Sequence, residues 1–255
     1  MVAVYTPSRT LPAKVRRRIV QRVGTRVVPF EMSRPVVSIT FDDVPDSVAR
    51  NALPRLEALG WRSTLYVATG LMGRENHLGR MMDADAIRAA HGEGHEIAAH
   101  THAHLDMSKL SPEAQIADYD RFDRAFRDLG LPAPRSFAWP YGECTPVGKR
   151  LASTRYRSLR GIAPRIHRSR VDLNQVGSVP MFHGRMRRVR TALDRIGRKP
   201  GWVTLFSHDV RDDPSPWGMT PDELDRVIDW IARSGAIVLP VGDMVSQTEA
   251  AHARA

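Results

Sequence analysis

Apolar positions along the chain fall into short runs separated by helical stretches. Val36–Phe41, Ser63–Ala68, Glu96–Ala99, Ser136–Trp139, Val203–Ser207 and Ile237–Val241 are compact runs, read as buried strands. The segment after the first run ends at Leu59 with Gly60 as its stop, and Pro54 predicts a kink in it. Asp83 caps a predicted helix running through His91, and Ser111-Pro112 opens another. That second helix carries Ile116, Tyr119, Phe122, Phe126 and Leu129 on one face and stops at Gly130. Thr220-Pro221-Asp222-Glu223 forms a capping box with proline at the first helical position, and Leu224, Val227, Ile228 and Ile231 continue to Gly235. Repeated strand–helix units predict an α/β fold, a parallel sheet covered by helices, and over 255 residues a closed or nearly closed barrel. Residues 142–200 are rich in arginine and show few clear periods.

The alternation occupies 35–246, which reads as a single domain, with a basic N-terminal extension at 1–34 and a C-terminal tail at 247–255. Lys14–Val23 places Val15, Ile19, Val20 and Val23 at helical spacing. A short helix there would pack on the main domain or rest on anionic lipid. No transmembrane segment is expected, because no 18-residue stretch is free of charge. The N-terminus lacks the apolar core of a signal peptide, so a cytoplasmic location is expected, with peripheral contact at the membrane allowed. One cysteine, Cys144, excludes a disulfide framework and a Cys-rich zinc site. The net charge is +10, nearly all of the cationic side chains being arginine. It fits a solvated basic surface, or one that steers an acidic glycan, a phospholipid surface or nucleic acid.

In barrels of this kind chemistry gathers at the C-terminal ends of the strands. The run ends here are polar. They read Thr40-Phe41-Asp42-Asp43, then His100-Thr101-His102-Ala103-His104, then Pro140-Tyr141-Gly142, then His208-Asp209. His100 and His104 are four apart, a spacing that brings two imidazoles to one side of a turn. With one of the two aspartates they make a two-histidine, one-carboxylate face with open positions, while the other carboxylate stays free to take a proton. A mononuclear iron site uses the same donor types but has no need of the second aspartate. His102 should point away from its neighbours, His95 should pack beneath the site, and His91 should be exposed. Trp217, in the turn-rich segment Pro214–Gly218, and Trp139, beside Pro140, are candidates to line the cleft. Ordinary packing is the competing reading of both, and of Trp202.

Together these motifs resemble carbohydrate esterase family 4, the polysaccharide deacetylases with the NodB homology domain, from about Val36 to Met244. The matching pieces are Thr40-Phe41-Asp42-Asp43, His100-Thr101-His102-Ala103-His104, Arg135 through Pro140-Tyr141, and Leu205-Phe206-Ser207-His208. The resemblance implies a distorted (β/α) barrel of about seven strands and a divalent metal, usually zinc, held by Asp43, His100 and His104. It implies Asp42 as general base, Arg135 orienting it, the Tyr141 N–H holding the oxyanion and His208 as general acid. Leu205 would line the acetyl pocket. The implied activity is metal-dependent deacetylation of an N-acetylated amino sugar in a glycan. A lipid-linked or anionic substrate would suit the basic N-terminus, and no nucleic-acid partner is expected. Hydrolysis of another amide or an O-acetyl ester, or glycan binding at a vestigial metal site, are the alternatives. Two departures stand out. Val44 follows the aspartates where the family often has glycine, and the family's Asp-x-x-Asp-Trp motif, which supports the catalytic histidine, has no match between Tyr141 and Leu205.

Overall fold

The protein is described here from a computed structural model, which covers Ser8 and Thr10–His252. The outermost parts of the expected N-terminal extension and C-terminal tail lie outside the described residues. In chain order the strands are β1 (Val27–Pro29), β2 (Val36–Asp42), β3 (Thr64–Val67), β4 (Glu75–Asn76), β5 (Gly79–Arg80), β6 (Glu96–Ala99), β7 (Ser136–Ala138), β8 (Ser158–Arg160), β9 (Arg170–Asp172), β10 (Val179–Pro180), β11 (Trp202–Ser207) and β12 (Ile237–Val238). The helices are α1 (Leu11–Val20), α2 (Leu53–Glu57), α3 (Ala84–Gly92), α4 (Pro112–Asp128), α5 (Pro146–Ser153), α6 (Arg187–Arg198), α7 (Pro221–Arg233) and α8 (Val241–His252).

Seven parallel strands in the order β10-β11-β2-β3-β6-β7-β8 form a curled half-barrel, the distorted (β/α) barrel expected. β12 pairs with Val36 and Val37 at the foot of β2, while β3 pairs higher up with Thr40–Asp42. Side chains alternate across the sheet. Ile39, Phe41, Leu65, Phe137, Leu159 and Leu205 face the helices and belong to the main apolar core. The other face carries Thr40, Asp42, Tyr66, Ala98, Ala138, Arg160 and Phe206, and is small and polar enough to hold chemistry. A second apolar cluster, including Val28, Val36, Val171 and Trp202, sits at the N-terminal ends of β2 and β11, where β1 and β9 pair antiparallel.

Local signals explain most helix boundaries. Asp83 accepts from the Ala86 N–H, Ser111 from the Ala114 N–H, and the Thr220–Glu223 capping box is complete. Gly60 and Gly235 adopt φ of 69°, the left-handed stop that glycine takes without steric cost. The kink expected at Pro54 takes the form of a π turn over Val48–Ala52 leading into α2. The unperiodic stretch 142–200 contains α5, β8, β9, β10 and α6. The strand expected at Ile237–Val241 ends at Val238, because Pro240 leads directly into α8 at Val241. α8 runs on through 247–252, so the boundary expected at 246 falls inside a helix. Among the described residues no helix is long and apolar enough to cross a membrane.

Candidate active site

Four strand ends meet at one mouth. β2 delivers Asp42 and Asp43, the loop after β6 delivers His100 and His104, the turn after β7 delivers Tyr141, and β11 delivers His208. Asp43 has φ of 60°, Val44 51°, Thr101 68°, His104 51° and Tyr141 59°. These are the positive-φ non-glycine residues among the described residues, and all lie around this mouth. Such conformations cost about 1–3 kcal/mol each, and concentrate where a side chain must be aimed. Val44, a β-branched residue in that region, is fully buried in the main core, and its packing offsets the strain that glycine would avoid.

Asp43 Oδ1 lies 3.2 Å from His104 Nε2 and 3.7 Å from His100 Nε2. One donor atom from each of the three residues falls within 4.8 Å of the others. Asp43 Oδ1 is buried without a hydrogen-bond partner, the mark of a carboxylate placed for a cation. His100 Nδ1 donates to the Ala138 carbonyl at 2.8 Å, which fixes the tautomer and leaves Nε2 as the ligand atom. Burial, then the neighbouring His104, pushes the His100 pKa down to about 3, so the imidazole is neutral as a metal ligand must be. Two imidazoles and one carboxylate fit a zinc-type ion with open positions.

The loop bearing the histidines is clamped from behind. Asp118, fully buried on α4, accepts from the His102 and Ala103 N–H groups at 2.8 and 3.1 Å. His102 Nδ1 pairs with Thr69 Oγ1, so its ring points away from Asp43. His95 is buried at the foot of β6 between the Ser63 N–H and Glu57. His91 is half-buried rather than exposed.

Asp42 accepts from Arg160 Nη2 through both oxygens, at 2.7 and 2.5 Å. Arg160, on β8, has its guanidinium 4.9 Å from the Tyr66 ring and 5.0 Å from the Phe206 ring, and reaches Ser178 Oγ at 3.3 Å. Its register partner on β7 is Ala138, whose small side chain leaves room for it to cross. Arg135 is therefore not the partner of Asp42. It precedes β7 at the opposite end of the strand, where it donates to Ser246 Oγ at 3.2 Å on α8. At about 3.3 Å per residue, three positions of extended chain separate it from the level of Ala138.

His208 Nδ1 donates to the Trp217 carbonyl at 3.2 Å, leaving Nε2 free of that bond. The position that a supporting carboxylate would take is thus filled by a backbone oxygen. The loop bearing it is tied down by Asp209, fully buried, which accepts from the Ser215 N–H and hydroxyl and pairs with Arg211. Trp217 is half-buried, and its ring meets His77 edge-on at 5.5 Å. His77 sits at the turn of the β4–β5 hairpin, where burial pushes its pKa down. Nothing in the local sequence flags His77, since only the hairpin brings it here.

Leu205 and Trp139 stand elsewhere. Strand alternation turns Leu205 toward the helices, fully buried, while Phe206 and Phe182 flank His208 with ring centroids at 6.3 and 6.1 Å. Trp139 packs in the core against Phe137 at 4.8 Å, and Trp202 is also buried, its indole N–H donating to Ser38. The Tyr141 ring meets His104 edge-on at 4.7 Å.

The family model described as Polysaccharide deacetylase matches residues 31–157. A chitin deacetylase of Colletotrichum lindemuthianum is 29% identical over 123 residues, covering 48% of this chain and 48% of the relative. A chitin deacetylase of Arthroderma benhamiae is 30% identical over 88 residues, covering 34% of this chain and 22% of the relative. The chain thus spans half or less of the length of these relatives. The solved structure of the Colletotrichum lindemuthianum chitin deacetylase superposes with a TM-score of 0.59 at 20% identity, covering 84% of this chain and 89% of that one. The Xyl-CE4 domain of a multidomain xylanase from the hindgut metagenome of Trinervitermes trinervoides also gives a TM-score of 0.59, at 17% identity, with 85% and 92% covered.

Proposed function

Because this chain belongs to the polysaccharide deacetylase family, we propose that it is a metal-dependent hydrolase that removes acetyl groups from N-acetylated amino sugars of a glycan. The observation carrying this reading is the orphaned, buried Asp43 Oδ1 facing His104 and His100, with Asp42 held beside it by Arg160. A divalent cation bound by Asp43, His100 and His104, zinc by its donor set, supplies Lewis acidity toward the acyl oxygen and the attacking water.

The remaining work falls to the chain's own groups. Asp42 accepts the proton that water loses, its orientation fixed by Arg160. The Tyr141 N–H is assigned to the acyl oxygen as negative charge develops there, a donor worth about 3–4 kcal/mol. His208, its Nδ1 proton committed to the Trp217 carbonyl, offers the proton at Nε2 to the departing sugar amine. Trp217 and His77 border the mouth and are placed to contact the sugar ring. A vestigial glycan-binding site would have no need of a buried carboxylate–guanidinium pair on the base.

The direct test is acetate release from a panel of N-acetyl and O-acetyl glycans, with metal-stripped and zinc-restored protein. Release restored by zinc and absent in Asp42→Asn is the expected outcome. No release from any acetylated glycan sinks the reading. An amine leaves poorly without a proton, whereas an alkoxide needs it less. His208→Ala is therefore expected to lower N-acetyl hydrolysis about a hundred-fold, and O-acetyl hydrolysis much less. Equal losses on matched substrates would remove the acid role.

A further inference from the structure

Helix α1 is amphipathic in a way the fold does not use up. Ala13 and Val20 are buried against the domain. Leu11, Val15 and Ile19, four residues apart in turn, form an outward stripe and are 74%, 46% and 48% exposed. Pro12 and Pro146 extend the same shallow apolar groove. Lys14 and Arg18 are exposed along the edge of the stripe, and α1 contains no acidic residue.

The helix is fixed in place. Arg16 and Arg17 both pair with Glu143, a buried carboxylate two residues beyond Tyr141. At the other end Lys149 donates to the Val20 and Val23 carbonyls at 3.1 and 2.9 Å. Arg17, Val20 and Gln21 border a cleft shared with Gly142 and Ile162. The inner face of α1 is therefore held against the segment that follows Tyr141, and the apolar stripe is left facing outward.

We propose that α1 docks the protein on an anionic lipid bilayer, with Leu11, Val15 and Ile19 entering the headgroup–acyl boundary and Lys14 and Arg18 meeting lipid phosphates. Charge selects this occupant. A second copy of the chain carries the same net +10 and the same cationic rim, and would be repelled. Nucleic acid would satisfy the cations but leave the apolar stripe uncovered. A lipid surface answers both features at once. Docking by this helix would hold the Tyr141–Glu143 segment near the bilayer and so favour a glycan carried on a lipid. That corollary alone rests on the deacetylase reading.

The test is co-sedimentation of the full chain with vesicles of phosphatidylcholine alone and of equal parts phosphatidylcholine and phosphatidylglycerol. Binding to the second, weakened by salt, with little to the first is expected. Leu11→Gln/Val15→Gln/Ile19→Gln keeps good helix formers on an exposed face and should reduce binding to background. Lys14→Gln/Arg18→Gln should weaken it about 25-fold, about five-fold per charge. Circular dichroism and thermal melting confirm that both variants remain folded. No binding by the unsubstituted chain overturns the proposal, as does binding unchanged in both variants. A concentration-dependent dimer that the triple variant abolishes, without vesicle binding, assigns the stripe to self-association instead. None of these readouts depends on deacetylation, so failure of the docking and failure of the enzyme reading are separable.

Discussion

Arg160→Ala is expected to lower kcat for acetate release by about a hundred- to ten-thousand-fold, the range of a general base put out of position. Arg135→Ala should leave kcat within about two-fold and stability within about 0.5 kcal/mol, as for a surface substitution. The contrast follows from where the two guanidiniums lie. Arg160 is buried between Tyr66 and Phe206 and holds both Asp42 oxygens, while Arg135 is exposed and touches Ser246. Removing Arg160 leaves a buried carboxylate without its counter-ion, which costs about 3–5 kcal/mol of stability and lowers Tm. Arg160→Lys keeps the charge but loses the flat fork, so partial recovery is expected. A purely structural role would not give coupling in kinetics. A double-mutant cycle with Asp42→Asn separates the two, since Arg160→Ala should add little further loss of kcat once the base is gone. Full additivity, or a large defect in Arg135→Ala, would reverse the assignment.

This arginine also marks the limit of what the sequence discloses. The strand ends, the paired aspartates and the two histidines are local features, and local periodicity and spacing reveal them. The partner of Asp42 is a matter of register. Arg160 is 118 residues away, on a strand inside an arginine-rich stretch, and becomes distinctive only once β8 lies beside β7 with Ala138 opposite it. His77 is similar, since only the β4–β5 hairpin brings it to Trp217. Leu205 and Trp139 lie outside the mouth for a different reason: alternation on β11 turns Leu205 away from the face that carries Phe206, and Trp139 shares the core-facing side of Phe137. The α6 pattern was also present as Val189, Ala192, Leu193 and Ile196, but sits among so many arginines that the apolar stripe is diluted. No sequence motif announces the Trp217 carbonyl behind His208, because a backbone oxygen carries no residue identity.

Asp43→Ala and His104→Ala are each expected to abolish zinc-restored activity, a loss of more than about a thousand-fold, in keeping with several kcal/mol of charge stabilisation forfeited. Binding gives a readout that does not pass through catalysis. Zinc should raise the Tm of the unsubstituted protein, by about 2.7 kcal/mol of added stability at a hundred times its Kd, and leave both variants unmoved. His102→Ala supplies the control within the same five-residue motif, because its ring is turned to Thr69 while its backbone N–H, which Asp118 holds, survives the substitution. That variant should retain zinc and most of its activity. Were His102→Ala to lose the metal while His104→Ala kept it, the loop would have to be threaded the other way round. The left-handed backbone at Thr101 and His104 would then be aiming the wrong imidazole at Asp43.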